Sequence, residues 1–146
     1  MMNTVKSLLK SKGSKGSQVW TVGPRATVYE AIELLGEKNI GALLVMDGDQ
    51  VCGIFSERDY VRKIEIEGRA SKDTEVREIM TQDIIHVELD ATINESMALM
   101  TDSRIRHLPI FDDTKLVGII SIGDLVKAIM SEQQRTIEQL GEYINS

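Results

Sequence analysis

The chain duplicates itself. Shifted by 65 residues, segment 26–63 lies over segment 91–128 without a gap, and 12 of the 38 paired positions are identical. Ten of the other 26 pairs set apolar against apolar. Such self-similarity restricts the fold, because each copy is one supersecondary unit and both must bury equivalent faces. Both copies also close on the same polar signature. It reads Gly53-Ile54-Phe55-Ser56-Glu57-Arg58-Asp59 in the first and Gly118-Ile119-Ile120-Ser121-Ile122-Gly123-Asp124 in the second.

The pattern within each copy predicts strand, helix, strand, strand, helix. In the first, Gln18–Val22 is a short β-rich run ended by Gly23-Pro24. Thr27 and Glu30 have the spacing of a capping box, and Val28, Ala31, Ile32, Leu34 and Leu35 follow at helical intervals. Asn39 ends that helix. Ala42–Met46 is an apolar run suited to a buried strand, Asp47-Gly48-Asp49 a hairpin turn, and Gln50–Phe55 the return strand. Ser56 then caps a helix over Glu57 to about Glu67. The second copy predicts a strand over Ile84–Val87, a box at Thr92 and Glu95, and a helix to about Ser103. Strands Leu108–Phe111 and Leu116–Ile120 follow around Asp112-Asp113, with a helix from Ser121.

These segments give a division into repeat one (5–67), a polar linker (68–75), repeat two (76–130) and a C-terminal helical extension (131–146). Val5-Lys6-Ser7-Leu8-Leu9 resembles Val76-Arg77-Glu78-Ile79-Met80, so the N-terminus is read as part of the repeat and not as a targeting peptide. The first copy carries six extra residues in the Lys10–Ser17 stretch, expected to be a mobile surface loop. On the last helix, Leu125, Val126, Ile129, Met130, Ile137, Leu140 and Ile144 form a narrow apolar stripe on a charged background. Such a stripe suggests docking on a neighbour, with self-association preferred over packing on its own domain.

Composition narrows the function. A formal net charge of −6 and 4% aromatic residues argue against a nucleic-acid partner, which calls for a basic patch or exposed stacking rings. No apolar stretch approaches the length of a membrane span. The expected location is the cytoplasm. The single cysteine, Cys52, lies in an apolar run and reads as a small buried hydrophobe. Two histidines and one cysteine give no zinc spacing, and there is neither a Gly-x-Gly-x-x-Gly nor a Walker loop. A triad of Ser121, His107 and Asp124 exists only on paper, with no nucleophile elbow around it. No catalytic cofactor and no enzymatic activity are expected.

The strand order, the doubled motif and the run Arg106-His107-Leu108-Pro109 together resemble the cystathionine-β-synthase (CBS) domain family in its tandem form, the Bateman module. The resemblance covers residues 5–130. It implies a mixed α+β fold of two β-α-β-β-α repeats packed about a pseudo-twofold axis. It further implies two clefts for an adenosine-containing ligand such as AMP, ADP, ATP, NAD or S-adenosylmethionine, and modules that pair into a flat homodimeric disc. The role so implied is a non-catalytic sensor that passes its ligand state to a regulated protein partner through a change of angle between repeats or modules.

Ser-x-x-Asp has two readings. A Ser at a helix N-cap with a carboxylate three residues on satisfies orphan amides and needs no ligand. Placed twice after an apolar strand and a glycine, it also suits a nucleoside. Asp59 and Asp124 would accept from the two ribose hydroxyls, Gly53 and Gly118 would admit close backbone, and Ser56 and Ser121 would bond ribose or phosphate oxygens. The resemblance places adenine near Thr21-Val22 and His86-Val87, with Ile85, Ile110 and Val45 around the ring, and Pro109 counts among the nucleotide-binding residues. The copies differ: Glu57-Arg58 stands where the second has Ile122-Gly123, and Arg106-His107 where the first has Gly41-Ala42. Arg58, Arg104 and Arg106 are therefore phosphate candidates or surface arginines, and His107 is a phosphate donor or a packed histidine. Leu89 stands at the position of Pro24, which puts the geometry of the second copy's first turn in question. The Asp59 cleft is expected to be the more demanding site for charged ligands. The rival reading is a protein-interaction module that has lost its ligand; an enzyme ranks last.

Overall fold

The structure, a computed structural model, describes residues 3–13 and 19–145. The Gln18 start of the first expected strand and residues 14–17 of the Lys10–Ser17 stretch lie outside them, while Lys10 and Ser11 belong to a helix and not to the expected loop. Helix α1 (Val5–Ser11) precedes the first repeat, which contains β1 (Thr21–Val22), α2 (Val28–Lys38), β2 (Ala42–Asp47), β3 (Gln50–Ser56) and α3 (Glu57–Tyr60). Helix α4 (Val76–Ile79) precedes the second, which contains β4 (Val87–Glu88), α5 (Ile93–Ser103), β5 (His107–Asp112), β6 (Lys115–Ser121) and the long α6 (Ile122–Asn145). Each repeat forms a three-stranded sheet in chain order, with the first pair parallel and the second antiparallel. The mixed α+β architecture is therefore as expected.

Local chemistry repeats at the 65-residue offset. Thr27 Oγ1 accepts from the Glu30 amide at 3.1 Å, and Thr92 Oγ1 from the Glu95 amide at 3.0 Å. Each helix then buries one stripe: Val28, Ala31 and Leu35 on α2, and Ile93, Ser96 and Met100 on α5. Both end on a left-handed residue, Asn39 (φ 54°) and Arg104 (φ 56°). That conformation lets the following amide close back on the helix, Ile40 N–H to Leu35 O and Ile105 N–H to Met100 O. Both hairpins turn through two residues, with Gly48 (φ 63°) and Asp113 (φ 61°) leading, and both carry a bulge.

Two compact units result, and they are offset from the sequence repeats. One spans Val19–Ile84; the other joins the N-terminal residues to Ile85 onward. Helix α1 therefore packs with repeat two, although it precedes repeat one, and α4 packs with repeat one. The bonds that hold them match rung for rung. Val76 N–H donates to Ala26 O at 2.8 Å, and Val5 N–H to Ala91 O at 2.9 Å. Arg77 N–H donates to Pro24 O at 3.0 Å, and Lys6 N–H to Leu89 O at 3.1 Å. Leu89 thus does at its turn what Pro24 does at its own, which answers the question raised by the missing proline. Val76 and Ile79 enter the core of Val28, Ala31, Leu35, Leu43, Val45, Phe55 and Ile64. Val5 and Leu8 enter the core of Ile93, Met100, Leu108, Ile110, Ile120 and Leu125. The 68–75 stretch is built into its unit: Thr74 is buried, and Glu75 bridges to Thr27.

Three elements depart from the pattern. The helix after Ser56 is α-helical only to Tyr60 and continues as a π-helical turn over Val61–Glu65, with Ile66 N–H donating to Val61 O. Lys63 anchors that wide turn by donating to Ile79 O at 2.8 Å. Strand β1 begins at Thr21, leaving Val19 and Trp20 irregular. Strand β4 begins at Val87 and not at Ile84, one register step later than β1. In repeat one the Leu44 amide donates to Trp20 O at 3.4 Å; its counterpart in repeat two is Pro109, which has no N–H. That rung cannot form, so pairing starts only at Val87 with Ile110. No helix among the described residues is long and apolar enough to cross a membrane.

Candidate functional site

In each unit the candidates converge on one end of the sheet. The start of the first strand, the start of the middle strand and the end of the third lie together there. In the first unit Ala42 stands opposite Ser56 and Leu44 beside Thr21, so Thr21 and Ser56 flank the same end of β2. In the second, His107 stands opposite Ser121, and Ile85-His86 leads into β4 beside Pro109. Both third strands run straight into a helix. Its first amide bonds to the residue before the middle strand, Glu57 N–H to Gly41 O and Ile122 N–H to Arg106 O.

Both Ser-x-x-Asp motifs form the full reciprocal box. Ser56 N–H donates to Asp59 Oδ2 at 3.0 Å while Asp59 N–H donates to Ser56 Oγ at 3.2 Å. Ser121 N–H donates to Asp124 Oδ2 at 2.9 Å while Asp124 N–H donates to Ser121 Oγ at 3.1 Å. Each carboxylate then meets a donor from the helix that crossed over from the other repeat's start. Thr81, just after α4, donates its hydroxyl to Asp59 Oδ1 at 3.1 Å. Lys12, just after α1, donates to Asp124 Oδ2 at 3.0 Å.

Beyond this point the symmetry fails. Asp59 is 8% exposed and has both oxygens engaged: Ser56 O–H adds to Oδ2 at 3.2 Å, and Lys63 Nζ lies 3.7 Å from Oδ1. Asp124 is half-buried, and the bonds it takes from Lys12 and the Ser121 amide both fall on Oδ2. Partial burial pushes the Asp124 carboxyl up, but the Ser121 amide and the Lys12 ammonium outweigh it, and the group sits below the usual carboxylate range. Of the first-turn amides of α6, Ile122 N–H and Asp124 N–H are taken, while no bond to Gly123 N–H is present among the described residues. A Cβ at Gly123 would meet only Ser121 Oγ, at 3.6 Å, so the approach to that amide is open. The late start of β4 also leaves the Ile85 carbonyl outside the sheet.

The space at Gly53 is filled by the protein itself. A Cβ there would lie 2.7 Å from Thr81 O and 2.8 Å from Met80 Sδ. Ile54 and Thr81 exchange backbone bonds at 2.9 Å each way, so the carbonyl is held in place. The close approach read from the sequence is thus made by this chain's own backbone. Gly118 is buried in β6.

The other candidates divide. Glu57, Arg58 and Arg106 are exposed, and Arg104 is the left-handed cap of α5. His86 is exposed, edge-on to Phe111 at 5.0 Å, with Nε2 3.8 Å from Glu88 Oε1. His107 and Ile85 are half-buried, Val22 partly so, and Val45, Ile110 and Pro109 are buried. Sequence reading missed Lys12, Lys63, Met80 and Thr81. Lys12 stands 112 residues from Asp124 and Thr81 22 from Asp59, separations that no local pattern spans. The one available signal was the match of α1 to α4, which places both segments alike without saying which repeat each would join.

Comparison with known proteins decides the family. The CBS domain model matches residues 16–66 and again 76–131. The chain belongs to the CBS-domain family. It is 41% identical over 148 residues to the mitochondrial CBS domain-containing protein CBSX3 of Arabidopsis thaliana, covering 97% of this chain and 71% of that one. A solved CBS-domain protein from Burkholderia ambifaria superposes with a TM-score of 0.86 at 52% identity, over 89% of this chain and 96% of its own. The CBS-domain protein ATU1752 of Agrobacterium tumefaciens gives 0.82 at 42% identity, over 88% and 94%. The resemblance first carried by the doubled motif is thus shown for both repeats of this CBS pair.

Proposed function

We propose that this CBS pair is a non-catalytic sensor that holds an adenosine-containing ligand at the repeat-two sheet end, with Asp124 as the ribose acceptor. The observation that carries this reading is the asymmetry of the two carboxylates: Asp59 is buried and engaged on both oxygens, whereas Asp124 is more open and the bonds it takes from Lys12 and the Ser121 amide both fall on Oδ2. Around it, Gly123 N–H and the Lys12 ammonium suit a phosphate, and the Ile85 carbonyl suits an adenine amino group. Arg106 and His107 stand on the same end of the sheet and would extend the anion site. The Burkholderia ambifaria relative is described as a signal-transduction protein, which agrees with a module that reports a ligand and transforms nothing.

Calorimetry with AMP, ATP, NAD and S-adenosylmethionine tests this. Losing a hydrogen bond to a charged group costs about 1.5–3 kcal/mol, so Asp124→Ala should weaken binding roughly 10- to 100-fold. Asp59→Asn should bind almost as the wild type does. Silence from all four ligands at millimolar concentration removes the sensor reading, and loss confined to Asp59→Asn moves the site to repeat one.

A second reading has its own support. The two capping boxes account for Ser-x-x-Asp with no ligand at all, and α6 presents a long apolar stripe. An interaction module of that kind would keep its partner after Asp124→Ala.

A further inference from the structure

The two capping carboxylates are met by donors that differ in how firmly they are held. At Asp59 the Thr81 hydroxyl is carried by backbone that exchanges two bonds with Ile54, and the Lys63 ammonium, 3.7 Å away, is tethered to the Ile79 carbonyl at 2.8 Å. At Asp124 the donor is the Lys12 ammonium, 3.0 Å from Oδ2. Among the described residues it has no backbone carbonyl of the kind that holds Lys63. Lys12 is the C-cap of α1, and Val5 and Leu8 fix that helix in the repeat-two core. The root of the side chain is therefore anchored, while its four-carbon stem can turn. Both members of the pair remain partly exposed, so a ligand can reach them.

We propose that Lys12 makes the repeat-two site select 5′-phosphorylated nucleosides by changing partner. This inference rests on the sensor reading, in which Asp124 accepts from ribose. Lys12 holds Asp124 in the unliganded chain and passes to the ligand's phosphate when the ribose hydroxyls take its place. The balance of partners sets the selectivity. With a neutral nucleoside, Asp124 gains two hydroxyl donors, but the ammonium is left partly buried without its anion, which offsets the gain. With a nucleotide, the phosphate supplies a new anion one sugar ring away, and no charge is stranded. The start of α6 favours the same place for it: at Gly123 an added Cβ would meet only Ser121 Oγ, at 3.6 Å, so space is open beside the helix's first turn. S-adenosylmethionine carries a sulfonium where a nucleotide carries its phosphate. Lys12 would face it as a like charge, a repulsive element that rejects the wrong ligand. Repeat one has no equivalent device, since neither Thr81 nor the tethered Lys63 is placed to make the exchange.

Calorimetry on the full chain with adenosine, AMP and S-adenosylmethionine tests this, with Lys12→Met as the variant. The wild type should bind AMP more tightly than the other two. In Lys12→Met, AMP should weaken roughly 10- to 100-fold, the usual loss for a charge-assisted bond. Adenosine and S-adenosylmethionine should bind more tightly to the same variant, because Asp124 no longer has a partner to give up. Lys12→Arg, which keeps the charge, should retain the preference for AMP. Equal losses for AMP and adenosine would show that Lys12 only supports the site, and unchanged affinities that it has no part in binding; either result overturns the proposal. Lys12→Gln gives the same comparison if Lys12→Met does not fold. Wild-type binding of AMP that Asp124→Ala weakens keeps the sensor reading whatever the Lys12 variants do. No binding of any of the three ligands removes that reading and this inference together.

Discussion

A glycine can be required by a ligand or by the chain itself, and the two glycines of this site separate those cases. At Gly53 an added Cβ meets a backbone carbonyl at 2.7 Å that two hydrogen bonds hold in place. Gly53→Ala should therefore destabilise by about 1–3 kcal/mol, an overpacking cost, seen as a lower urea midpoint. Gly123 has open space around it and sits in the first turn of a helix. Gly123→Ala should be neutral or stabilising by up to about 1 kcal/mol. Equal losses at both sites would contradict this account. The Asp124 carboxyl gives a prediction in pH. Its folded pKa lies below the ordinary 3.8, so its stabilising effect is complete well above that value and fades as pH falls through the folded pKa. The thermal midpoint of Asp124→Asn should thus fall below the wild type at neutral pH and converge with it below about pH 4. A gap that stays constant into acid would show that the charge contributes nothing.

Elements here are placed by partners far away in sequence. Helix α1 is seven residues long, too short to hold its shape alone, and it persists because Val5 and Leu8 fill the repeat-two core. Leu8→Ala should cost about 2–5 kcal/mol, the usual range for a buried leucine. Hydrogen exchange should show that loss in β5 and β6, with β2 and β3 little changed. The reverse pattern would mean that α1 belongs with repeat one, as its place in the chain suggests. The late start of β4 has the same kind of cause. One missing amide at Pro109 removes a rung and leaves the preceding residues unpaired, at a point where a ligand's base would need backbone groups to bond.

At the scale of the whole molecule the duplication sets up two equivalent sheet ends, and divergence makes them unequal. The first is closed by its own side chains: Thr81, Lys63 and Met80 fill the space around Asp59 and Gly53. The second has open space at Gly123, a more exposed carboxylate at Asp124 and the Lys12 ammonium beside it. One occupied site and one structural site is the economical reading, and calorimetric stoichiometry should be one ligand per chain. Two equal sites would require Thr81 and Lys63 to leave Asp59 when ligand arrives.

The repeat, the order of its elements, the helix caps and the sheet hairpins were legible in the sequence because each rests on contacts within a few residues: a Thr and the amide three residues on, an Asp-Gly turn, an apolar stripe. The duplicated Ser-x-x-Asp was legible as a reciprocal cap where each third strand enters its helix, for the same reason. The sequence alone left open which repeat each N-terminal helix joins, since Val5–Leu9 and Val76–Met80 match and either could fill either core. It left open which donors each aspartate meets, since that depends on Lys12 and Thr81 arriving from elsewhere in the chain. It also gave no sign that Gly53 is held against Thr81. Those outcomes are fixed by packing between segments remote in sequence, and only the tertiary structure decides them.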